Sequence, residues 1–403
     1  MSPFEIIRAI AIAYASIWTT YVVILPLIGA INRSRPAQLS KSRSSTAPSI
    51  AVIIPAHNMS PVIARCVDSL FACGYPKDRF TVNVVADHCS DDTTAVAEQC
   101  GARVFVRSDG PAGKTYTLAW ALERLAKDEN TELFVIVDAT AHVEFGFLGA
   151  LVDLWQQGED IVVSHPVVDA ENQKWFARCL GLTLVHRNLQ NRARQRLKLS
   201  AFIEGRGMAY SRQYIDQYGW RLALPTSTRS GTHPTEDWRH AVRAVEQGKR
   251  VAFSDDARVI TPLRDTLSAA TKQGVRWERG RMANAYSHAS RLLWSGIKQR
   301  SLVKSLAALD AIQPPVAILG ALSVAIAILA LVYPVSNSAV TLSFVPLLLF
   351  VVYGVCVVWD GRKDGISPIT VLWAPVYLLW RTSAFILAWG FLDKLGTRSS
   401  KKQ

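Results

Sequence analysis

The sequence predicts an α/β domain with a mostly parallel sheet, flanked by apolar helices that are long enough to cross a membrane. Between residues 50 and 165, short apolar runs alternate with longer segments of helical pattern, an order typical of a doubly wound parallel sheet. Residues 9–32 and 311–359 contain no Asp, Glu, Lys or Arg, and a spanning helix needs roughly 20 apolar residues. A chain of 403 residues has room for both parts.

The N-terminal segment predicts one transmembrane helix within residues 1–32. A cleaved signal peptide is the alternative, but the uncharged run is too long for a signal core, and no small-x-small cleavage site precedes the basic stretch. Residues 33–49 form a basic linker rich in Ser and Pro. By the positive-inside rule, these basic residues place the following domain in the cytoplasm. The chain is therefore predicted to be integral to the inner (plasma) membrane.

The C-terminal transmembrane region is predicted over residues 311–393, with two to three spans. The uncharged run at 311–359 is long enough for two spans that turn at 333–338. A third candidate covers about 368–392.

Arg381 complicates the third span, because a charge within a bilayer is costly. We expect this side chain to face protein or a water-filled path. Alternatively, residues 366–380 are interfacial or re-entrant, broken at Pro375, so that the basic tail at 394–403 stays in the cytoplasm. Four spans that start outside would instead place that tail outside.

The net charge of +13 does not require a nucleic acid partner. Much of it flanks the apolar segments, where anionic membrane lipids attract Lys and Arg. The densest basic stretch, residues 187–198, predicts either a solvated or lipid-facing helix or a site for a polyanion. The six cysteines form no CxxC pair, which is consistent with reduced cytosolic thiols that serve packing.

The predicted cytoplasmic domain covers residues 50–295, and periodicity assigns its elements in order. A glycine-bearing turn is expected around residues 204–208. The segment 296–310 mixes Leu and Val with Lys and Arg, which predicts an amphipathic interfacial helix. Strands are predicted at 50–55, 81–86, 103–107, 133–138 and 161–165, and helices at 60–72, 91–100, 112–127, 145–157, 171–199, 235–248 and 266–290.

Polar side chains follow three of the predicted strands. Pro55, His57 and Asn58 end the first strand, Asp87 ends the second, and Asp138 ends the fourth. Ligands bind beyond the carboxyl ends of parallel strands, so these clusters predict one shared pocket. Local roles are the alternative: an N-cap for Asp87, and hydrogen bonds to neighbours for the histidines.

Lys114 follows a glycine-bearing stretch at the predicted start of a helix. Its charge and the helix N-terminus together favour phosphate. An ordinary surface lysine is the alternative.

Two later motifs predict reactive chemistry. Glu236 and Asp237 follow Pro234-Thr235 at a predicted helix start, where a carboxylate can take a proton from a hydroxyl. Two acids stabilised by the helix dipole are the alternative. Farther on, the stretch 273–277 carries an amide, a guanidinium and an indole. Arginine offers a planar fork of donors to phosphate, and an indole face stacks on a sugar ring.

These motifs, in this order, resemble the family 2 glycosyltransferases of the membrane-bound type, similar to cellulose and hyaluronan synthases. The similarity covers residues 48–312. The resemblance implies a nucleotide-sugar-binding domain of the GT-A-like fold. It also implies three sets of site residues, each at a position that matches a family motif. Donor binding would fall to Pro55, His57, Asn58, Asp87, Lys114 and Asp138; acceptor binding to Gly205, Arg206, Gly207 and Trp277; and diphosphate binding to Gln273, Arg276 and Trp277.

The resemblance also implies a general base and a metal. Asp237 takes the place of the base, and Glu236 would hold its geometry or raise its pKa by like-charge repulsion. Asp138 would bind Mg²⁺ or Mn²⁺ together with the donor phosphates. The family's second metal aspartate is Thr140 here, and a neutral hydroxyl is a poor ligand for a hard cation. His142 is a further candidate ligand.

The expected function is inverting transfer of a sugar from a nucleotide-sugar donor, a UDP-sugar above all, to a glycan or lipid acceptor. The product would be a polysaccharide made processively, with export proteins as partners, or a single added sugar. A catalytically silent membrane scaffold that retains nucleotide binding is the alternative, and Thr140 motivates it.

Overall fold

The computed structural model describes residues 3–31, 47–169, 174–203, 205–220, 236–262, 266–333 and 337–399. For a few helical residues, 236–238 among them, it describes the backbone alone. The strands are β1 (Ile50–Ala56), β2 (Phe80–Asp87), β3 (Arg103–Arg107), β4 (Leu133–Ile136), β5 (His142–Val143), β6 (Ile161–Val168), β7 (Met208–Ser211) and β8 (Val251–Thr261). The helices are α1 (Pro3–Ile31), α2 (Ile63–Phe71), α3 (Thr93–Gln99), α4 (Lys114–Leu125), α5 (Phe147–Trp155), α6 (Trp175–Arg196), α7 (Arg212–Tyr218), α8 (Glu236–Glu246), α9 (Leu267–Lys298), α10 (Leu302–Ile312), α11 (Val316–Val332), α12 (Asn337–Gly361) and α13 (Ala374–Ser399).

The eight described strands form one sheet in the order β3-β2-β1-β4-β7-β6-β8-β5. The pairs among β1 to β4 are parallel, and β7 joins them antiparallel to both β4 and β6. The pair β6–β8 is parallel again, and β5 closes the edge antiparallel to β8. The prediction of a mostly parallel α/β sheet is confirmed. The carboxyl ends of β1, β2 and β4 therefore meet at one edge of the sheet.

Strand β1 shows why its apolar run is continuous. Val52 and Ile54 face a core that includes Ile63 of α2. Ala51 and Ile53 face a second core that includes Leu118 of α4. Successive side chains of a strand point to opposite faces, and helices cover both faces here, so polar positions are lost from the middle of the strand.

In the other half of the sheet, β6 was predicted at 161–165, but β5, β7 and β8 were not predicted from the sequence. Strand β7 has four residues, and β5 has two. Strand β8 is long, but it carries Asp255, Asp256 and Arg258 in its middle. Its partner β6 shifts register between Val163 and His165. Short strands and charged central positions both weaken the alternating pattern that predicts a strand.

Three described helical segments are long and apolar enough to cross a membrane, and a fourth is reached if α10 and α11 count as one bent span. The three are Glu5–Ile31, Ser338–Asp364 and Pro368–Ala388. The bend of 68° between α10 and α11 falls at Gln313-Pro314-Pro315, because proline disfavours helical backbone in the residue before it. Helix α11 ends at Val332 and α12 begins at Asn337, and residues 334–336 of the turn predicted at 333–338 lie outside the described residues.

Two helix boundaries differ from the predictions. Helix α9 continues to Lys298, eight residues beyond its predicted end at residue 290. The interfacial helix predicted from residue 296 therefore begins only at Leu302, where Ser301 caps α10 by accepting a hydrogen bond from the Lys304 N–H.

Helix α1 packs closely on the sheet domain. A Cβ added at Gly29 would lie 2.1 Å from the carbonyl oxygen of Leu189 on α6. Farther along, Tyr21 donates a hydrogen bond of 2.7 Å to Asp310, which also accepts one of 2.8 Å from Arg194. The residue at position 29 must therefore be glycine for the two backbones to approach this closely.

A buried cluster of charges joins the sheet domain to the end of α12. Arg192 of α6 lies at the centre, with a side chain 3% exposed. Its guanidinium donates to Asp255 of β8 at 2.8 and 2.9 Å and to Asp360 of α12 at 3.1 Å. His165 of β6 reaches Asp255 at 2.8 Å and Asp364, just beyond α12, at 3.4 Å. We call these five residues the charge cluster.

Ionisation within the charge cluster follows from these contacts. Burial by itself lowers the pKa of His165, but its hydrogen bonds to Asp255 and Asp364 outweigh burial and raise that pKa. Burial by itself raises the pKa of Asp255, but hydrogen bonds from His165 and Arg192 outweigh burial and hold that pKa well below its usual range. The cluster thus contains charged groups whose partners are all protein.

The two predicted readings of the basic stretch at 187–198 are wrong for its central residues. Arg192 and Arg194 are neither solvated nor free for a polyanion, since both are buried in ion pairs with carboxylates. Arg187 and Arg194 both lie over the ring of Phe202, at 4.2 and 4.3 Å from its centroid. The sequence shows the basic residues of α6, but their acidic partners lie 60 or more positions away.

Candidate functional site

The turns that follow β1 and β2 are fastened to each other. Asn58, in left-handed backbone at φ 52°, accepts a hydrogen bond of 2.8 Å from the Ser90 N–H. The Nδ1 atom of His57 lies 2.7 Å from the Asp87 carbonyl oxygen, so this nitrogen carries the proton. His57 and Asn58 are exposed at the edge where donor binding is predicted. The local hydrogen-bonding role expected for His57 is present as well.

Asp87 is buried and holds the loop before α4. Its carboxylate accepts a hydrogen bond of 2.9 Å from the Gly113 N–H and an ion pair from Arg107, and His88 Nδ1 lies at 2.9 Å. Burial by itself raises the pKa of Asp87, but these hydrogen bonds outweigh it and lower that pKa. The charged carboxylate of Asp87 therefore holds the loop at Gly113 in place, and this loop positions Lys114 at the start of α4. Its contact with a donor nucleoside stays a prediction.

An N-cap role was considered for Asp87, but the carboxylate that bonds the start of α3, the helix after β2, belongs to Asp91. Asp91 accepts hydrogen bonds from the Thr93 N–H at 3.1 Å and from the Ser60 N–H at 3.1 Å. Hydrogen bonds from Thr93 in particular lower the pKa of Asp91. Asp91 thus satisfies backbone donors at the first turn, as aspartate does at helix starts.

Lys114 joins three of the predicted site elements. Its Nζ atom lies 2.6 Å from Asp138 Oδ1 and 3.1 Å from the Gly205 carbonyl oxygen. These contacts connect the start of α4, the end of β4 and the glycine turn that precedes β7. Both side chains of the ion pair are partly exposed, so a ligand can reach them.

The glycine turn depends on two left-handed residues. Gly205 and Gly207 have φ values of 72° and 73°. A Cβ added at Gly207 would lie 2.6 Å from Ser164 Oγ, which donates a hydrogen bond to the Arg206 carbonyl oxygen. The turn is thereby pressed against β6, and the acceptor role predicted for residues 205–207 stays a prediction.

The residues around Asp138 offer few metal ligands. No group of three or more His, Cys, Asp or Glu side chains among the described residues has the geometry to hold a metal ion. Thr140 is exposed. His142 Nε2 lies 3.0 Å from the Arg65 guanidinium. Burial and then the charge of Arg65 lower the His142 pKa. A divalent cation fits here only with Asp138 as a protein ligand and phosphate oxygens as the others, an arrangement that Mg²⁺ often adopts.

The predicted base stands at the beginning of α8. Glu236 and Asp237 are the first two residues of that helix, and their side chains lie outside the described part of the chain, as does Thr235. Helix α8 is held in place by Val242 and Val245, which pack against Leu292 of α9 and Ala308 of α10.

The amide, guanidinium and indole motif lies in the first half of α9. Gln273 and Trp277 are partly exposed, and Arg276 is exposed. Arg276 forms no ion pair with any residue that the structure describes. The diphosphate-binding role of Arg276, Gln273 and Trp277 stays a prediction.

Another face of α9 docks on α13, a contact that the sequence analysis did not predict. Glu278 forms an ion pair of 3.1 Å with Arg381, and Trp380 donates a hydrogen bond of 2.8 Å to Thr271. A Cβ added at Gly274 would lie 2.6 Å from Arg381 Nη1. The expectation that Arg381 faces protein agrees with this contact. The sequence feature that indicated a buried contact here is Arg381, the lone charged residue in an apolar segment.

Comparison with known proteins identifies the fold. The family model described as glycosyltransferase like family 2 matches residues 47–280. The Bacillus subtilis (strain 168) protein named "Probable glycosyltransferase YdaM" is 24% identical over 246 residues, which are 58% of this chain. The chain spans about half, 55%, of the length of that relative.

Solved structures extend the similarity beyond the sheet. The mannosyltransferase PcManGT from Pyrobaculum calidifontis, in complex with GDP-Man and Mn²⁺, is superimposed with a TM-score of 0.50 at 17% identity, covering 93% of this chain and 99% of that chain. Glucosyl-3-phosphoglycerate synthase from Mycobacterium tuberculosis, in complex with Mn²⁺, UDP-Glc and phosphoglyceric acid, gives a TM-score of 0.40 at 19% identity, covering 63% and 83%. With a family match over more than half its length and a sheet of the GT-A-like type, the chain belongs to the glycosyltransferase family 2-like proteins.

Proposed function

We propose that the chain is an inverting glycosyltransferase that moves a sugar from a nucleotide-sugar donor, a UDP-sugar above all, to a glycan or lipid acceptor. Its apolar helices would anchor it in the inner membrane with the sheet domain in the cytoplasm. The product would belong to a surface or extracellular polysaccharide, with export proteins as partners if synthesis is processive.

One observation carries the proposal: Lys114, Asp138 and Gly205 meet at the carboxyl edge of the sheet. Asp87 fixes the loop that brings Lys114 there. An ammonium beside a partly exposed carboxylate, at a helix N-terminus, suits a diphosphate that carries a metal ion. The exposed guanidinium of Arg276 adds a second cation for the same charge.

The proposed chemistry needs one bond made and one broken. The acceptor hydroxyl attacks the anomeric carbon, its proton passes to Asp237, and the bond between that carbon and the diphosphate oxygen breaks. Lys114 and Arg276 stabilise the negative charge that develops on the leaving diphosphate. A bound Mg²⁺ or Mn²⁺, held by Asp138, would neutralise part of the same charge.

The test is identification of the product by mass spectrometry. Purified protein in lipid nanodiscs is incubated with a panel of sugar nucleotides and with lipid and oligosaccharide acceptors. The panel includes guanosine donors, since the PcManGT structure contains GDP-Man. A product one sugar heavier than the acceptor supports single transfer, and a ladder of products supports processive synthesis. Release of free sugar or no reaction with every donor contradicts transferase activity.

Thr140 favours a second candidate, a silent membrane scaffold that binds nucleotide without turnover. This candidate requires nucleotide binding at the Lys114–Asp138 edge and no transfer under any metal or acceptor. Calorimetric binding of UDP together with an empty product screen would establish it.

Donor binding is expected to depend on a divalent cation through Asp138. Chelation of Mg²⁺ and Mn²⁺ should weaken UDP binding to the wild-type chain, because Asp138 and the phosphates would share the ion. Isothermal titration with and without chelator measures the effect. The Asp138→Ala variant is the control and should bind UDP equally in both conditions. Equal wild-type affinity under chelation would remove the metal role.

Replacing Thr140 with aspartate is expected to lower the metal concentration that gives half-maximal activity. A second carboxylate adds a full charge to a hard-cation site and can replace a water ligand. The measurement is the rate of transfer as Mn²⁺ is titrated. Gln99→Asp is the matched control, because α3 ends at the opposite edge of the sheet. Lower activity of Thr140→Asp at every metal concentration would show that the pocket is built around the hydroxyl instead.

A further inference from the structure

A large cavity lies between the sheet domain and the apolar helices, away from the strand ends. It encloses about 1180 Å³ of space, part of it open to solvent. Its walls come from α6, from the turn between α10 and α11, from α12, and from the chain around the start of α13. Most of its lining side chains are apolar.

The wall is mostly hydrocarbon. Aliphatic and aromatic side chains from three helical segments face the cavity, and the ring of Tyr353 packs edge-on against His186 with centroids 5.3 Å apart. A sugar polymer would need a hydrogen-bonding partner for most of its hydroxyls, and an apolar wall leaves those groups unsatisfied. The apolar side chains include Val316, Ala317, Phe350, Val357, Val371 and Ala374.

Three side chains in this wall bury polar atoms that have no hydrogen-bond partner among the described residues. They are both ring nitrogens of His186, the hydroxyl of Thr370, and Nη1 of Arg381. His186 is 3% exposed and Thr370 is 1% exposed. Buried polar groups nearly always have partners, so three of them in one cavity indicate a ligand with matching polar atoms.

The chemistry of these groups describes that ligand. Burial lowers the pKa of His186 to about 3, so its ring is neutral, with one donor and one acceptor nitrogen. Arg381 keeps Nη2 on Glu278 and presents Nη1 as a donor. The cavity therefore suits a long apolar chain that bears a few hydrogen-bonding oxygens at one end.

The cavity also adjoins the proposed reaction site along α9. Glu278 lines it and directly follows Trp277 of the diphosphate motif in the chain. A ligand whose polar end lies near Arg381 and Glu278 is thus next to the helix that carries Gln273 and Arg276.

We propose that this cavity binds the hydrocarbon chain of a lipid acceptor, with His186, Thr370 and Arg381 bonding the oxygens next to that chain. The inference rests on the proposed transferase function and selects the lipid from the two acceptor classes. The acceptor is then held from the side of the apolar helices, next to α9, which carries the diphosphate motif.

The test is photo-crosslinking of the full chain in phosphatidylcholine nanodiscs with a hexadecyl glucoside that carries a diazirine on its alkyl chain. Crosslinked peptides should come from α6, α12 and the start of α13. Unlabelled hexadecyl glucoside should compete, and added phosphatidylglycerol should not. Equal competition by phosphatidylglycerol would show that the cavity holds a structural membrane lipid, which overturns the proposal.

Two cavity variants and their controls test whether the crosslinking depends on this cavity. Gly354 lines the cavity, and a Cβ added there meets no atom within 4 Å, so Gly354→Phe should fill the space and lower crosslinking about tenfold. Val355→Phe is the matched control, since Val355 is the next residue on α12, is 62% exposed and does not line the cavity. His186→Phe should lower crosslinking about fivefold by removing one hydrogen bond, and His186→Gln should restore it. Equal crosslinking in Gly354→Phe and Val355→Phe would refute the site.

Nucleotide binding separates this inference from the function on which it rests. All four variants should bind UDP like the wild type in calorimetry, because none lies at the strand-end pocket. If the wild type crosslinks as described but binds no nucleotide, the lipid site stands and the proposed transferase fails. If it binds nucleotide but crosslinking is non-specific, the lipid site fails and the transferase stands.

Discussion

Asp237→Asn is expected to lower the rate of sugar transfer by about 10²- to 10⁴-fold, the usual contribution of a general base. Asparagine has nearly the same shape but cannot take the proton from the acceptor hydroxyl. UDP affinity should stay close to that of the wild type, since the proposed donor site is at Lys114 and Asp138. Transfer is measured by product formation at saturating donor, and binding by titration calorimetry.

Glu246→Gln is the matched control for this variant. Glu246 is the last residue of the same helix, α8, and its carboxylate forms an ion pair of 3.0 Å with Arg291, most of whose side chain is exposed. This change removes one carboxylate at the end of α8 opposite the base and should leave the rate unchanged. Wild-type turnover in Asp237→Asn would reject the assignment of the base and return Glu236 to consideration.

Arg192→Leu is expected to destabilise the fold by about 3–5 kcal/mol, because it removes the guanidinium that pairs with the buried carboxylate of Asp360 and the partly exposed carboxylate of Asp255. Asp255 and Asp360 both lose hydrogen bonds of about 3 Å. The measurement is thermal unfolding of the chain in detergent or nanodiscs, followed by tryptophan fluorescence.

Arg291→Leu serves as the reference for that experiment. Arg291 also forms an ion pair with a carboxylate, but its side chain is 62% exposed, and exposed pairs contribute about 0–1 kcal/mol. A triple variant with Arg192, Asp255 and Asp360 all replaced by leucine should recover part of the loss, since the guanidinium and its two carboxylate partners are then removed together and His165 keeps its contact with Asp364. If Arg192→Leu unfolds at the same temperature as Arg291→Leu, the charge cluster contributes no special stability.

The sequence predicted the parallel half of the sheet well, for a physical reason. Strands buried on both faces, such as β1 with Val52 and Ile53 in opposite cores, are continuous apolar runs with polar residues at their ends. The same logic placed Asp87 and Asp138 at one edge. In β8, by contrast, Asp255 and Arg258 are charged because they pair with groups on distant elements, and no local pattern shows that.

In the candidate site, the residues at strand ends could be predicted from the sequence, but their contacts with distant residues could not. Strand ends meet by topology alone, so Asp138 could be placed without coordinates. The contact of Lys114 with the Gly205 carbonyl oxygen depends on how a turn 91 residues later folds back over β6. Arg381 was correctly expected to face protein. Glu278 could not be named as its partner, because an ion pair between helices far apart in the sequence produces no regular residue spacing.

The charge cluster also limits the number of times that the chain can cross a membrane between the end of α1 and the end of α12. It ties the end of α12 to the sheet domain, and Gly29 ties the end of α1 to that same domain. Arg8, near the start of α1, donates to the Tyr333 carbonyl oxygen at 2.9 Å and to the Ala339 carbonyl oxygen at 3.3 Å, so the end of α11 and the start of α12 lie beside the start of α1. In any membrane that these helices cross, an even number of crossings separates the end of α1 from the end of α12. The side on which the chain finishes is then decided by α13 alone.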